Sequence, residues 1–509
     1  MSKLGDLMQN FMMANPKRAN WFLTRMPERV WQKIGAKKAL EVFHETAEKV
    51  PAYKDFLKKN KTDPAKIKTI EDFKQVPIMD KENYIKQYKL EDLCLDGSLA
   101  QMYNIARSSG ATGKPLYWPR LKTQDEMLPK VLDLSYTYLY NVDKIPTLLL
   151  VTFALGTWLA GELAAEVSRR IAKRQGYPLS IMTPGIDLEQ TLEIINDFSS
   201  KYEQILIFGY PPFLKDVIDH GEEQGIDWRR LNVRLMTGGE GFSEQWRSHL
   251  LEKIGKEDDL TGIISFFGTA DGGFINHETP FTVLLRQLVD NDKKLAKDLF
   301  GVSSTPALIP YNPAAHFLED IDGELTMTVK TGLPLVRYCI RDIGKTVSIE
   351  RALTACKEHG YELLNELGAR GYESFWNFPI FYAFGRSDMS VTVYGANVYL
   401  EQLKAVFDDR IFQETCTGKF LFGTSYTENQ DEFLSVHLEL KPRIKPSDKL
   451  TVKLCGEMEN ILCGLNTEFT SSLKAAHALG KTILKVNLYP AKHKKFGIKD
   501  AKLKYLETA

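Results

Sequence analysis

The sequence predicts an α/β protein: a large N-terminal domain with mixed, mainly parallel sheets flanked by helices, followed by a small α+β C-terminal domain. Between residues 100 and 345, short apolar runs alternate with amphipathic stretches, the pattern of parallel strands joined by crossover helices. After Pro334 the runs shorten and become β-rich. From 386 onward, a helix at LEQLKAVFDDR, strands at KFLFGTSY, EFLSVHLELK and KTILKVNLY, and a helix near 446–463 read as a separate small domain.

Residues 1–100 read as a helical region of the N-terminal domain. ALEVFHETAEKV has helically spaced apolar positions, and KTDPAKIKTIEDF supplies an Asp-Pro start signal with acids nearby. The core of this domain spans 101–385 and opens with the strand-like LLLVTFA, which turns at Gly156 into the helix TWLAGELAAEVSRRIAKR. The run continues with a strand at ILIFGY, a helix at PFLKDVIDHGEEQG, a strand at VRLMTGG, a helix at SEQWRSHLLEKIG and a strand at GIISFFG. In such sheets ligands bind where strands end and glycine-rich turns begin.

Composition narrows the function classes. The 509 residues carry 66 Lys+Arg against 66 Asp+Glu, so the chain lacks the basic excess with which proteins usually meet nucleic acids or anionic membranes. The six cysteines, at 94, 339, 356, 416, 455 and 463, lack the two-residue spacing of zinc ribbons or redox motifs and read as reduced thiols of a cytoplasmic protein. The N-terminus has no secretory pattern. The longest uncharged stretch, 145–161, is shorter than the roughly 20 residues a membrane span needs. No HExxH or GxSxG motif occurs, and the nine histidines form no ligand-spaced pair.

The sharpest local signal is Ser108-Ser109-Gly110-Ala111-Thr112-Gly113-Lys114-Pro115. Its glycines let the backbone approach an anion, its hydroxyls donate, and its lysine adds positive charge, which together describe a phosphate cradle. Only two residues separate its glycines and proline follows the lysine, so it is not a Walker A loop; a solvated Gly/Ser turn is the plainer alternative. Gly238-Gly239-Glu240-Gly241 ends the strand VRLMT. Phe267-Gly268-Thr269-Ala270-Asp271 ends IISF with a ring to stack and a carboxylate to hold Mg²⁺. Arg341-Asp342 follows a strand, its carboxylate placed for ribose hydroxyls. Gly385-Arg386-Ser387-Asp388 lies at the change of texture, where a linker salt bridge is the alternative.

These motifs, with PLVRYCIRD and GRSDMSVTVYGANVYLEQL, occur in an order and spacing that resembles the adenylate-forming, acyl-CoA synthetase-like superfamily. The chain looks most like its phenylacetate-CoA ligase and related coenzyme synthetase branch, and the resemblance covers roughly residues 70–509. It implies ATP-dependent activation of a carboxylic acid to an acyl-adenylate, then transfer to a thiol, with ATP, Mg²⁺ and coenzyme A as the small molecules used. Ser108, Ser109, Gly110, Ala111, Thr112, Gly113 and Lys114 would hold phosphates, and Asp271 would bind Mg²⁺. Gly238, Gly239, Glu240, Phe267, Gly268 and Thr269 would frame adenine, while Asp342 and Arg386 would hold ribose. The resemblance also implies a catalytic tail lysine, Lys502 or else Lys499, and a hinge at Asp388 that makes the C-terminal domain a mobile lid. A homodimer would suit the branch.

The chain departs from the family pattern in places. Ala111 replaces a hydroxyl residue, and Asp271 stands where Glu is commoner. The hinge has one acid where many relatives have two, and the clustered cysteines that bind zinc in some relatives are missing, so no zinc is expected. Segments near 280–305 and 351–378 look like insertions. An acceptor amine or hydroxyl, or a degenerate adenylate-binding protein, are the competing functions. The acyl pocket is expected around Tyr136 to Tyr140, Phe153 to Trp158, Tyr210 and Gly272 to Phe274, which favours an apolar or aromatic acid. From Lys441 onward there are 14 Lys+Arg and six Asp+Glu. Overall neutrality therefore conceals a basic tail suited to polyanionic substrates.

Overall fold

The computed structural model describes residues 13, 15–108, 116–156, 159–302, 305–386, 390–407 and 409–496. The chain divides into two compact units: Met1–Ser108, Tyr117–Gly209 and Asp216–Gly385 form the larger, and Ser109–Leu116, Tyr210–Lys215 and Arg386–Ala509 the smaller. The strands are β1 (Met102–Ser108), β2 (Leu116–Leu121), β3 (Thr147–Val151), β4 (Leu179–Met182), β5 (Gln204–Gly209), β6 (Val233–Gly238), β7 (Ile263–Thr269), β8 (Gly273–His277) and β9 (Ala307–Pro310). They continue with β10 (Phe317–Ile321), β11 (Glu324–Val329), β12 (Leu335–Val347), β13 (Ile380–Arg386), β14 (Ser390–Val393), β15 (Ala396–Tyr399), β16 (Cys416–Tyr426), β17 (Glu432–Leu440) and β18 (Leu484–Tyr489).

Six strands of the larger unit pair in the order β4-β3-β5-β6-β7-β8. The first five run parallel, and β8 returns antiparallel to β7. Every residue of β3 and β5 is buried, as expected for strands covered on both faces, which is why they read as unbroken apolar runs. Helix Leu159–Gln175 packs on β3 and β4. The sequence had shown neither β4, only four residues long, nor helix Leu188–Phe198, whose N-cap Asp187 accepts the Gln190 N–H.

A second sheet, ordered β10-β11-β12-β13-β9, contains antiparallel β10–β11, β11–β12 and β13–β9 pairs and is covered in part by helix Glu28–Lys49. The Met79 N–H donates to the Arg337 carbonyl at 3.1 Å, and the Cys339 N–H donates to the Met79 carbonyl at 2.9 Å. This bridge lays residues 79–81 along β12. The Asp-Pro signal is a cap: Asp63 accepts the Ala65 N–H at the turn Pro64–Lys66. The suspected insertions fold as helices, Pro280–Asn291 and Lys293–Phe300 in one, Ile349–Glu358 and Leu363–Ala369 in the other.

In the smaller unit β14 pairs antiparallel with β15, β16 antiparallel with β17, and β17 parallel with β18. Phe420, Val436 and Leu484 from the three-stranded sheet share a buried core with Leu454 and Phe469 of helices Asp448–Leu465 and Thr467–Ala478. The fold is the expected class: a large unit of sheets flanked by helices, and a C-terminal α+β unit. Among the described residues no helix is long and apolar enough to cross a membrane.

Candidate functional site

The carboxyl ends of β6 and β7 lie side by side, with Gly238 paired to Phe266. A Cβ at Gly238 would sit 3.3 Å from the Phe266 carbonyl and 3.4 Å from the Phe153 ring. The backbone there lies against a row of rings, Phe153, Phe208 and Phe266, with successive centroids 4.9 and 5.0 Å apart. Gly239 has φ +91°, a conformation only glycine adopts without strain. It turns the chain into Glu240 and on to helix Glu244–Lys253, which Ser243 caps by accepting the Trp246 N–H. Gly268 is exposed, while Phe267 and Thr269 are half-buried at the end of β7. Sequence and structure thus bring Gly238, Gly239, Glu240, Phe267, Gly268 and Thr269 to one edge of one sheet.

Asp271 sits in the β7–β8 turn, buried to 8% exposure. Its Oδ1 accepts the Gly272 N–H at 3.0 Å, its Oδ2 accepts the Tyr338 hydroxyl at 3.0 Å, and Lys81 Nζ stands 3.9 Å from Oδ2. The turn is pinned twice more: Thr269 Oγ1 accepts the Gly272 N–H at 2.9 Å, and His316 Nε2 lies 3.0 Å from the Gly272 carbonyl. Burial pushes the His316 imidazole below its ordinary value, against the effect of that bond. A neutral ring donating Nε2–H to the carbonyl satisfies both. Lys81 and His316 had no motif to announce them, and Tyr338, though inside PLVRYCIRD, carried no expected role; Tyr338 and Lys81 reach the turn because β12 and the 79–81 segment pass beside it.

Among the described residues no group of three or more His, Cys, Asp or Glu side chains could hold a metal. Asp271 alone fits Mg²⁺, an ion commonly bound through one or two carboxylates with substrate phosphates and water. Each of its oxygens retains a lone pair beyond the bond it accepts.

Asp342 does not follow a strand, as the sequence had suggested, but lies within β12, which runs on to Val347. It is buried to 9% exposure. Its neighbour Arg341, at φ +64°, donates to Asp80 Oδ2 at 2.5 Å and to Glu324 Oε2 at 3.3 Å. Burial, the largest influence on Arg341, works to lower its pKa, but Cys339, Asp80 and Glu324 beside it raise it on balance. Cys339, in the same strand, donates to Glu324 Oε2 at 2.9 Å and is pushed up to about 12, mainly by burial.

Ser108 ends β1 and Arg386 ends β13, but their side chains, together with Ser109, Gly110, Ala111, Thr112, Gly113, Lys114, Asp388, Lys499 and Lys502, lie outside the described residues. The acyl-pocket expectation needs correction at one end. Tyr136 is fully buried with its hydroxyl 2.9 Å from Ser168 Oγ, and Gln204, at the start of β5, donates to the Tyr140 carbonyl. Gln204 opens β5, so the last turn of helix Lys122–Tyr140 lies by the amino end of that strand, whereas the glycine-rich loops follow the carboxyl ends of β6 and β7. Tyr138 there lines a polar cleft of about 690 Å³ with Arg234, Lys256 and Asp259.

No protein-family profile matches this sequence, and neither does any curated protein. Solved structures do match. The structure of 2-hydroxyisobutyryl-CoA ligase in complex with 2-HIB-AMP and CoA, in its thioesterification state, has a TM-score of 0.61 at 13% identity, covering 96% of this chain and 91% of that one. An open conformation of that ligase with the same ligands scores 0.52 at 13% identity, over 96% of this chain and 93% of that one. Its postadenylation state with R3-HIB-AMP also scores 0.52 at 13% identity, over 96% and 91%. The chain shares the fold of an adenylate-forming ligase.

Proposed function

We propose that this chain is an ATP-dependent, AMP-forming ligase that activates a carboxylic acid and passes the acyl group to a thiol, with coenzyme A as the leading acceptor. The observation that carries the reading is the set of ordered motifs, of which the two glycine-rich strand ends and Asp271 share one sheet edge in a fold matched along nearly its whole length by an acyl-CoA ligase.

In the first half-reaction a carboxylate oxygen attacks the α-phosphorus of ATP, the bond to the β-phosphate breaks, and pyrophosphate leaves. Such a displacement is accelerated mainly by positioning and charge neutralisation. Ser108 to Lys114 would grip the β- and γ-phosphates and leave the α-phosphorus open. Asp271, oriented by Tyr338, would hold the Mg²⁺, which when bound neutralises phosphate charge. Gly238 to Glu240 and Phe267 to Thr269 would frame adenine, and Asp342 with Arg386 would fix the ribose. Lys502, or in its place Lys499, would bridge the acid carboxylate and the α-phosphate, a task suited to a compact ammonium. In the second half-reaction the thiol sulfur attacks the acyl carbon, the bond to AMP breaks, and the thiol proton passes to solvent. Asp388 would be the hinge between the two arrangements, since a few residues can absorb the dihedral changes such a rotation needs.

The test is pyrophosphate release from ATP and Mg²⁺ over a panel of carboxylic acids, with and without coenzyme A. Acid-dependent release with thioester formed only when coenzyme A is present supports the reading. ATP binding without acid-dependent release from any panel member refutes it.

A further inference from the structure

Four charged side chains that the proposed chemistry does not use lie beneath the β6 loop. Glu244 and Arg247 belong to helix Glu244–Lys253, Glu278 follows β8, and Arg286 belongs to helix Pro280–Asn291. Their side chains are 6%, 1%, 0% and 5% exposed, respectively. Arg247 Nη2 donates to Glu278 Oε1 at 2.7 Å and stands 3.2 Å from Glu244 Oε1. Arg286 Nη1 stands 2.8 Å from Glu244 Oε1 and 3.5 Å from Glu278 Oε1.

Three of the four, Glu278, Arg247 and Arg286, also grip backbone. Glu278 Oε2 accepts the Ser265 N–H of β7 at 2.9 Å, and Arg247 Nη1 donates to the Ile263 carbonyl of the same strand at 3.1 Å. Arg286 Nε donates to the Pro306 carbonyl at 2.9 Å, and its Nη2 donates to the Phe242 carbonyl. Phe242 is the last loop residue before the Ser243 cap. Its ring lies 4.9 Å from the Arg247 guanidinium carbon and 5.1 Å from that of Arg286.

Stability alone does not account for such a cluster, because well-packed apolar residues in place of a buried ion pair are often neutral or stabilising. What charges supply here is direction: a guanidinium has five donors in a rigid fork, and Arg286 spends them on one carboxylate pair and two carbonyls of different elements. We propose that the Arg247–Glu278–Glu244–Arg286 cluster is a clamp that sets the β6 loop, Gly238 to Phe242, at a fixed distance from the end of β7, with Arg286 as its positioning residue. That the clamped gap receives adenine rests on the proposed function; the clamping itself does not.

The experiment compares the full-length protein with Arg286→Lys, which keeps the charge and loses the fork. Amide hydrogen exchange without ligand reads the clamp, and ATP and acid KM values read its consequence. The clamp predicts that loop amides 239–243 exchange at least about tenfold faster, a loss of about 1.4 kcal/mol of local protection. It also predicts a similar rise in ATP KM while the acid KM moves less than about twofold. A folded Arg286→Lys protein with unchanged loop exchange overturns the clamp. So does equal acceleration throughout the larger unit, the result of a merely structural role. If Arg286→Lys does not fold, Phe242→Leu, which removes the ring between the two guanidinium groups, must show the same confined acceleration, and unchanged exchange there overturns the proposal. Faster loop exchange in a protein whose wild type binds no ATP upholds the clamp and rejects the proposed function.

Discussion

Replacing His277 by Phe should abolish an acid-sensitive share of the larger unit's stability. His277 is fully buried at the end of β8, with its ring 5.0 Å from Phe266 and 5.3 Å from Trp376. Nδ1 donates to the Glu278 carbonyl at 2.6 Å, and Nε2 has no hydrogen-bond partner among the described residues. Burial therefore pushes its pKa down from 6.5 to about 4, with Glu278 opposing. The folded protein binds the proton less readily than the unfolded chain, so this contribution is complete above the unfolded pKa of about 6.5 and falls away as the pH drops toward about 4. At about pH 5 the unfolded imidazole is almost all protonated and the native one is not, a difference of about 2 kcal/mol relative to about pH 7.5. Phe keeps the ring contacts and loses one hydrogen bond, about 1 kcal/mol that does not vary with pH. Urea unfolding of both proteins at the two pH values isolates the effect, since carboxylates titrate alike in each. The wild type should lose about 2 kcal/mol more than the variant on acidification. Equal losses would refute the reasoning that His277 is held neutral by burial.

Asp271→Asn should lower acid-dependent pyrophosphate release roughly 100-fold, with partial recovery at high Mg²⁺; Tyr338→Phe, which leaves the carboxylate hydrogen-bonded by the Gly272 N–H alone, should cost less. Direct Mn²⁺ titration of the ATP-bound proteins checks both without relying on turnover. Asp388→Pro should leave pyrophosphate release within a few-fold of wild type and suppress thioester formation, measured as separate half-reactions; parallel loss of both would remove the hinge assignment. Gly344→Ala should destabilise the larger unit by about 3 kcal/mol or more, because its Cβ would stand 1.9 Å from the Tyr382 carbonyl oxygen and 3.2 Å from the Ala383 Cα. Both are backbone atoms of β13 that cannot rotate away. An unchanged urea midpoint would show that β12 and β13 can separate without cost.

What the sequence disclosed follows from how burial writes itself into residues. Strands β3, β5, β6 and β7 were legible because strands covered on both faces must be apolar along their length. The pairing of the second sheet was not, because its strands partner across the chain, with β9 meeting β13 at Ala307 and Ala383. No local pattern encodes such a pairing. Asp271 could be found because it ends a strand in a motif, whereas Tyr338, 67 residues away, could be connected to it only by the fold.

The buried clamp shows the same limit more sharply. In sequence, Glu244 and Arg247 form an (i,i+3) pair on a polar helix, which ordinarily marks a solvated face. What reverses that expectation is the covering supplied by β8 and by helix Pro280–Asn291, the latter from a segment that looked like an insertion. Arg286 within that segment and Glu278 just ahead of it bring a second Arg and a second Glu, so that the group is neutral as a whole, the condition under which four charges can leave water together. A substitution at any one of them should therefore cost more than a surface reading of the helix allows, and charge-balanced changes less. The double substitution Glu244→Gln with Arg286→Met should be more stable than Arg286→Met alone, since the single change strands a buried carboxylate. If the double variant were instead the less stable by urea unfolding, the two side chains would not be acting as partners.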